Sequence, residues 1–223
     1  MLSIELSLNK KATLREAIAD SIREAIIKGD LKSGEKLSEP GIAAQFGISR
    51  TPIREAFRQL DAEGFLKIIP RRGARVAPLT EKEVSEFYDI KSVLEAHAAR
   101  LALPHLSEKD IEKMEWYNNE MEKEDQNKNY KLVIKYHNEF HDVFLKGCGN
   151  GYLYQLLKSL NIKFQRSRMT LALTGNSRVS IDQHREIIQA FRKRRADEVA
   201  GLVAKNALFG KQLLVDAILG RFH

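Results

Sequence analysis

The segment that most constrains the fold runs from Ser49 to Phe65 and reads SRTPIREAFRQLDAEGF. Pro52 fits an α-helix only in the first turn, because it has no N–H to donate further along, and Ser49 or Thr51 can cap that turn. At about 100° per residue, the apolar side chains form one stripe, which comprises Ile53, Ala56, Phe57 and Leu60. The spacing predicts a helix over about 49–63, buried along one side, with three polar residues on the adjacent flank: Thr51, Arg54 and Arg58.

Shorter elements surround this helix. Apolar spacing predicts two preceding helices, over about 13–28 and 39–46. Between them, residues 31–37 are expected to form a turn-rich connection. After Gly64, two apolar runs flank a Pro-Arg-Arg-Gly turn and predict a β-hairpin, with strands at 65–69 and 74–77. Three helices followed by a hairpin outline a winged helix-turn-helix.

The rest of the chain carries a helical pattern. Pro78 interrupts it, and Thr80 with Glu83 then forms a capping-box pattern, so we expect a domain boundary here. Six helices are predicted beyond it, over about 81–103, 107–126, 130–146, 150–172, 178–193 and 195–219. The sequence therefore predicts a mainly α protein. Its winged helix-turn-helix domain would span residues 1–78 and its all-helical bundle residues 79–223.

The predicted helix at 49–63 suits the major groove of DNA. Arginine can donate two hydrogen bonds to guanine O6 and N7, and an exposed helix N-terminus favours a phosphate contact. At the hairpin tip, Arg72 and Gly73 would lie against flanking phosphates or the minor groove. Each arginine taken singly could equally be a solvated surface charge, whereas the ordered string as a whole favours DNA binding.

Composition agrees with a polyanionic partner but does not prove one. The formal net charge is +7 and the isoelectric point is about 9.4. Cys148 is the one cysteine, which excludes an intrachain disulfide. No run approaches the ~20 apolar residues that span a membrane. We therefore expect a cytoplasmic protein that does not bind membranes.

The motifs of the first domain resemble those of the GntR family of repressors. They are Leu37-Ser38-Glu39, Ile42-Ala43, the run from Gly47 to Ala56, Leu60, Glu63-Gly64 and Arg72-Gly73; Pro40-Gly41 departs from the family's polar pair. The resemblance implies double-stranded operator DNA as the partner, with contacts from Ser49, Arg50, Thr51, Arg54, Arg58, Arg72 and Gly73. Because one winged helix reads few base pairs, we expect a homodimer on an inverted repeat.

The second domain resembles the all-helical FCD ligand-binding domain of the FadR subfamily. The matching motifs, in family order, are Tyr88 to Lys91, Leu94-Glu95, Ala98-Ala99, Phe140-His141, Asn150, His184, Ile187-Ile188 and Ala190. The resemblance implies a small-molecule effector. We expect a small organic acid that releases a repressor from its operator.

His137 and His141 lie four residues apart in a predicted helix, so both imidazoles project from one face. On spacing alone they are either a chelating pair or a half-buried polar feature. In many FCD domains an Asp, two His and a further His bind a divalent metal. Here His137 replaces the Asp, His141 and His184 match, and Asn206 replaces the last His. The resemblance implies a zinc or nickel ion with a position open to an effector carboxylate.

Cationic side chains are the other candidates for effector binding. Lys91 stands where the family often has a pocket arginine, and it offers a point charge instead of a bidentate fork. Arg166 and Arg168 on the fourth predicted helix of the bundle could supply the missing cation, or could be exposed charges.

Two other functions compete with a ligand-responsive regulator. A metal-dependent hydrolase with a nucleic-acid-binding appendage would need a general base beside the metal, and the bundle contains no HExxH motif. An architectural DNA-binding protein without a ligand would leave the histidines and the large second domain unexplained. The sequence thus favours a regulator that is not an enzyme.

Overall fold

A computed structural model describes residues 13–70, 72–163 and 177–219. The chain divides into two compact units, with the division between Leu79 and Thr80. Each unit has its own helices and its own core.

The first unit contains three helices and a small antiparallel sheet. In chain order its elements are α1 (Leu14–Lys28), β1 (Lys36–Leu37), α2 (Glu39–Phe46), α3 (Arg50–Ala62), β2 (Leu66–Ile69) and β3 (Gly73–Val76). The strand order is β1-β3-β2, with Lys67 opposite Arg75 and Lys36 on the other side of Arg75. Residues 31–35 form the predicted turn-rich connection, but the prediction is wrong for the last two residues of the segment, which pair with β3. A two-residue strand is too short to show a period, which is why the sequence pattern missed it.

The core of the first unit forms between α1 and α3. The predicted apolar stripe of α3 is confirmed, since Ile53, Ala56, Phe57 and Leu60 are all buried. Beside this core, a buried ion pair joins Arg23 of α1 to Glu63 at the end of α3, with 2.6 Å between Nη2 and Oε2. With one side of α3 fixed in this way, its opposite side faces outward.

The second unit is all-helical where the structure describes it. Its helices are α4 (Glu81–Ala102), α5 (Glu108–Gln126), α6 (Tyr130–Gly147), α7 (Gly151–Lys163), α8 (Ser177–Arg192) and α9 (Ala196–Ile218). The predicted capping box of Thr80 and Glu83 is present. The predicted helix over 150–172 corresponds to α7, and its part beyond residue 163 lies outside the described residues.

Helix packing in the second unit brings distant segments together. The helix α9 packs along α4, while α5 packs against both α6 and α8. The core contains Phe140 and Phe144 from α6 with Ile187 and Phe191 from α8. Within the described residues, no helix is both long and apolar enough to cross a membrane.

Candidate functional site

The outward side of α3 is polar and basic. Ser49, Arg50, Thr51, Arg54 and Arg58 are all exposed. Ser49 is the N-cap residue, but its side chain makes no capping hydrogen bond. The first turn of α3 therefore keeps backbone N–H groups that can donate to a phosphate.

Glu39 at the start of α2 holds Arg54 in place. Arg54 donates from Nε and Nη2 to the Glu39 carboxylate at 2.9 to 3.2 Å. These hydrogen bonds, with the charges of Arg54, Arg50 and Arg58, lower the pKa of Glu39. Because Glu39 occupies the Nε side of the guanidinium, Nη1 and the second Nη2 hydrogen remain to donate. Two such donors suit the O6 and N7 atoms of guanine.

The turn between β2 and β3 presents Arg72. Its side chain is exposed, and its backbone N–H donates to the Ile69 carbonyl at 3.0 Å. Gly73 follows with φ of 87°, and a Cβ there would overlap the carbonyl oxygen of Leu37. The close approach of β1 therefore requires glycine at 73, which is a structural reason beside the predicted DNA contact.

Three histidines from two helices converge inside the second unit. They are His137 and His141 of α6 and His184 of α8, and a nitrogen from each lies within 4.8 Å of the others. Ring centroids are 4.7 Å apart for His137 and His141, and 5.1 and 5.2 Å from these rings to His184. The structure thus brings together the three predicted metal-binding histidines.

The environment of His184 selects one tautomer of its ring. Asn118 of α5 donates from Nδ2 to the Ile181 carbonyl at 3.1 Å, which turns its Oδ1 towards His184 Nδ1 at 3.0 Å. Since Oδ1 can only accept, Nδ1 carries the proton. The Nε2 atom is buried and has no hydrogen-bond partner among the described residues. A neutral ring then leaves a lone pair on Nε2, as a metal ligand must have.

Burial also keeps the His184 ring neutral. Desolvation, followed by the charges of His141 and Lys91, lowers its pKa well below the usual histidine value. Phe140 covers one face of the ring at a centroid distance of 3.9 Å. The orphaned nitrogen and the imidazole donor set both fit a cation such as zinc or nickel.

A buried ion pair borders the histidines. Lys91 of α4 donates from Nζ to Glu95 Oε2 at 2.6 Å, and the same oxygen lies 3.3 Å from His141 Nδ1. Sequence reasoning assigned no role to Glu95 or Asn118. The i, i+4 spacing of Lys91 and Glu95 could have indicated the pair, whereas no local pattern marks Asn118.

A pocket lies beside the histidines, and His137 is the one of the three that lines it. Three predicted site residues line it: Lys91, His137 and Asn206. Asn206 is buried and donates to Gln183 Oε1 at 2.8 Å and to Ser180 Oγ at 3.4 Å. Arg166 and Arg168 lie outside the described residues.

Comparison with known families accounts for both units. A gntR profile of bacterial regulatory proteins matches residues 14–76, and an FCD domain profile matches residues 86–206. The chain belongs to the GntR family. It is a DNA-binding transcriptional regulator with an FCD domain, the small-molecule-binding module of such regulators.

Individual relatives agree with this assignment. The chain is 30% identical to the HTH-type transcriptional regulator YdhC of Bacillus subtilis (strain 168), over 86% of this chain and 87% of that protein. It is 44% identical to the gluconate operon transcriptional repressor of Bacillus licheniformis, but over 38% of this chain and 35% of that one. A GntR-family regulator from Pseudomonas syringae pv. tomato str. DC3000 is structurally similar, with a TM-score of 0.57, 28% identity, and coverage of 99% of this chain and 91% of that one.

Proposed function

We propose that this GntR-family regulator is a repressor that a small carboxylate releases from its operator. The carboxylate would bind beside a divalent metal held by His137, His141 and His184. The observation that carries the proposal is the convergence of these histidines next to a pocket, with His184 Nε2 buried and without a partner in the described structure.

Zinc or nickel is the metal that the ligands favour, because imidazole prefers these ions to magnesium. When bound, such an ion would supply a Lewis-acidic position for an oxygen of the effector. Asn206 lines the same pocket as His137, so it would serve as a weak ligand or as an anchor for water. The ammonium of Lys91 is engaged by Glu95, which argues that recognition of the carboxylate depends more on the metal than on Lys91. Arg166 and Arg168 stay candidates for a second cation.

On DNA, we propose that α3 enters the major groove of operator DNA. There, bases or the DNA backbone would be contacted by four side chains of α3, those of Arg50, Thr51, Arg54 and Arg58. Ser49 and the first turn of α3 would contact phosphate, and Arg72 with Gly73 would contact the backbone or minor groove. The exposure of these α3 residues and the fixed geometry of Arg54 support this placement.

Two copies of the chain would bind an inverted repeat, since twofold symmetry is the simple route from a short half-site to specificity. The domain of residues 1–78 would bind DNA, and the domain of residues 79–223 would bind the effector and form the dimer. We place this activity in the cytoplasm, where operator DNA is accessible.

The names of relatives do not supply the effector. The match to the gluconate operon repressor covers 38% of this chain, so the identity of its effector does not transfer. A metal-dependent hydrolase is less well supported than a regulator, since the profile that matches the first unit describes bacterial regulatory proteins.

Metal analysis of protein purified without an affinity tag or chelator tests the metal. We expect about one zinc or nickel per chain, and a higher Tm after either ion is added. Metal-free protein whose Tm does not respond would show that the histidines merely line a polar pocket. Fluorescence anisotropy on DNA selected by the protein from a random library tests operator binding. Sedimentation of that complex tests the dimer.

A further inference from the structure

The described wall of the pocket is mostly apolar. Six side chains from α5, α6 and α9 form this apolar wall: Met121, Val133, Ile134, Ala207, Phe209 and Leu213. His137 lies on the same lining. A ligand whose head lies near His137 therefore meets hydrocarbon over much of its remaining surface.

Two polar side chains of the lining, those of Lys91 and Asn206, already make hydrogen bonds within the protein. Lys91 Nζ donates to Glu95 at 2.6 Å, and Asn206 Nδ2 donates to Gln183 and to Ser180. A ligand hydroxyl that entered this pocket would lose its hydrogen bonds to water. The six side chains of the apolar wall offer no N–H, O–H or oxygen atom that could replace them. Burying a hydroxyl without such replacement is unfavourable.

We propose that the effector is a carboxylic acid with an apolar body, either aliphatic or aromatic, and that the pocket rejects polyhydroxylated acids. This inference rests on the proposed function, which supplies the carboxylate, and adds the chemistry of the rest of the molecule. The carboxylate lies towards His137, and the body contacts the apolar wall.

Three six-carbon probes separate these features. Hexanoate has a carboxylate and a bare chain. Gluconate has a chain of the same length with a hydroxyl on each carbon except the carboxylate carbon. The third probe, 1-hexanol, has the bare chain without a carboxylate. Isothermal titration calorimetry on the full-length protein, with and without added zinc, measures their affinities. Metal content is determined before and after each titration. We expect hexanoate to bind about tenfold or more tightly than gluconate.

A matched pair of variants on α9 tests the apolar wall. Leu213 is half-buried and lines the pocket, whereas Leu208 is exposed and lies outside it. Leu213→Asn should lower the affinity for hexanoate about tenfold, because it removes apolar contact and adds an amide. Leu208→Asn should leave that affinity unchanged. Thermal unfolding and binding to selected DNA verify that both variants fold.

The outcomes separate this inference from the proposed function. Gluconate binding as tightly as hexanoate would overturn the apolar specificity and leave the carboxylate effector standing. Hexanol binding as tightly as hexanoate would overturn the carboxylate and support the apolar specificity. Failure of all three probes to bind, or equal losses of affinity in the two variants, would overturn the inference.

Discussion

Replacing Asn118 with leucine tests how the histidines are prepared for a cation. Leucine has a similar branched shape but no hydrogen-bonding atoms. The substitution removes the acceptor that lies 3.0 Å from His184 Nδ1 and the donor that lies 3.1 Å from the Ile181 carbonyl. His184 and Ile181, which carry the two partner groups, are both buried in the helical bundle. Water therefore cannot simply replace the lost amide.

The expected loss of metal affinity follows from the Nδ1–H group of His184, which loses its acceptor. Burying that group unsatisfied costs about 1–3 kcal/mol, so the proton is expected to shift in part to Nε2. A protonated Nε2 cannot bind a metal, and loss of such an outer partner lowers metal affinity by roughly 10–100-fold. We therefore expect Asn118→Leu to weaken zinc and nickel binding by that factor.

Competition titrations with a chelating indicator measure the affinity. Asn161→Leu on α7 is the matched control, because it makes the same change on a helix that contributes none of the three histidines. Asn118→Asp keeps an acceptor oxygen and should retain more affinity than Asn118→Leu. Long-range ¹H–¹⁵N spectra of labelled histidines report the tautomer of His184 directly. Unchanged metal affinity in Asn118→Leu, with the wild type binding metal, would refute the reasoning.

Three further predictions concern DNA binding and pH. Arg54→Ala should weaken operator binding by about 1–3 kcal/mol and relax the preference at one base position; anisotropy on single-base variants of the selected site checks this, and an unchanged preference contradicts it. Arg72→Ala should weaken binding to all sequences evenly and reduce the slope of log K against log salt by about 1; a loss confined to one sequence would count against a backbone contact. The metal-free protein should become less stable as pH falls below ~6.5, because unfolded His184 takes up a proton that the folded ring, with its lowered pKa, does not. Thermal unfolding across this pH range should show that Tm falls less steeply with falling pH in His184→Gln than in the wild type. An equal pH dependence in both proteins would refute the assignment of this effect to His184.

Helices and their ends were predictable because the signals are local. The stripe of α3 needs only its own residues, and Pro52 fixes which end begins the helix. The Thr80–Glu83 capping box likewise involves neighbours in the chain. By contrast, β1 exists because Lys36 and Leu37 pair with β3 almost forty residues later. Two residues carry no periodicity, so tertiary pairing alone determines that strand.

The candidate metal site shows the same division between local and distant signals. The i, i+4 spacing of His137 and His141 predicted a shared helix face, and the structure confirms that their rings are adjacent. His184 could be placed beside them only through the family resemblance. Asn118 was missed because it meets His184 across 66 residues of sequence, through packing of α5 against α8. Roles that depend on a partner from another helix need the tertiary structure.

A divalent metal held by the histidines would favour an anionic head group even though Lys91 is engaged. Its ammonium and the Glu95 carboxylate compensate each other at 2.6 Å, and burial keeps His184 neutral near pH 7. His137 stands where the FCD resemblance places an acidic ligand, so that negative charge is missing here. The buried charge of such a metal would be unfavourable without a counter-ion. A carboxylate effector would supply this counter-ion. Zinc and hexanoate should therefore each bind more tightly when the other is present. Equal hexanoate affinity with and without zinc would refute this coupling.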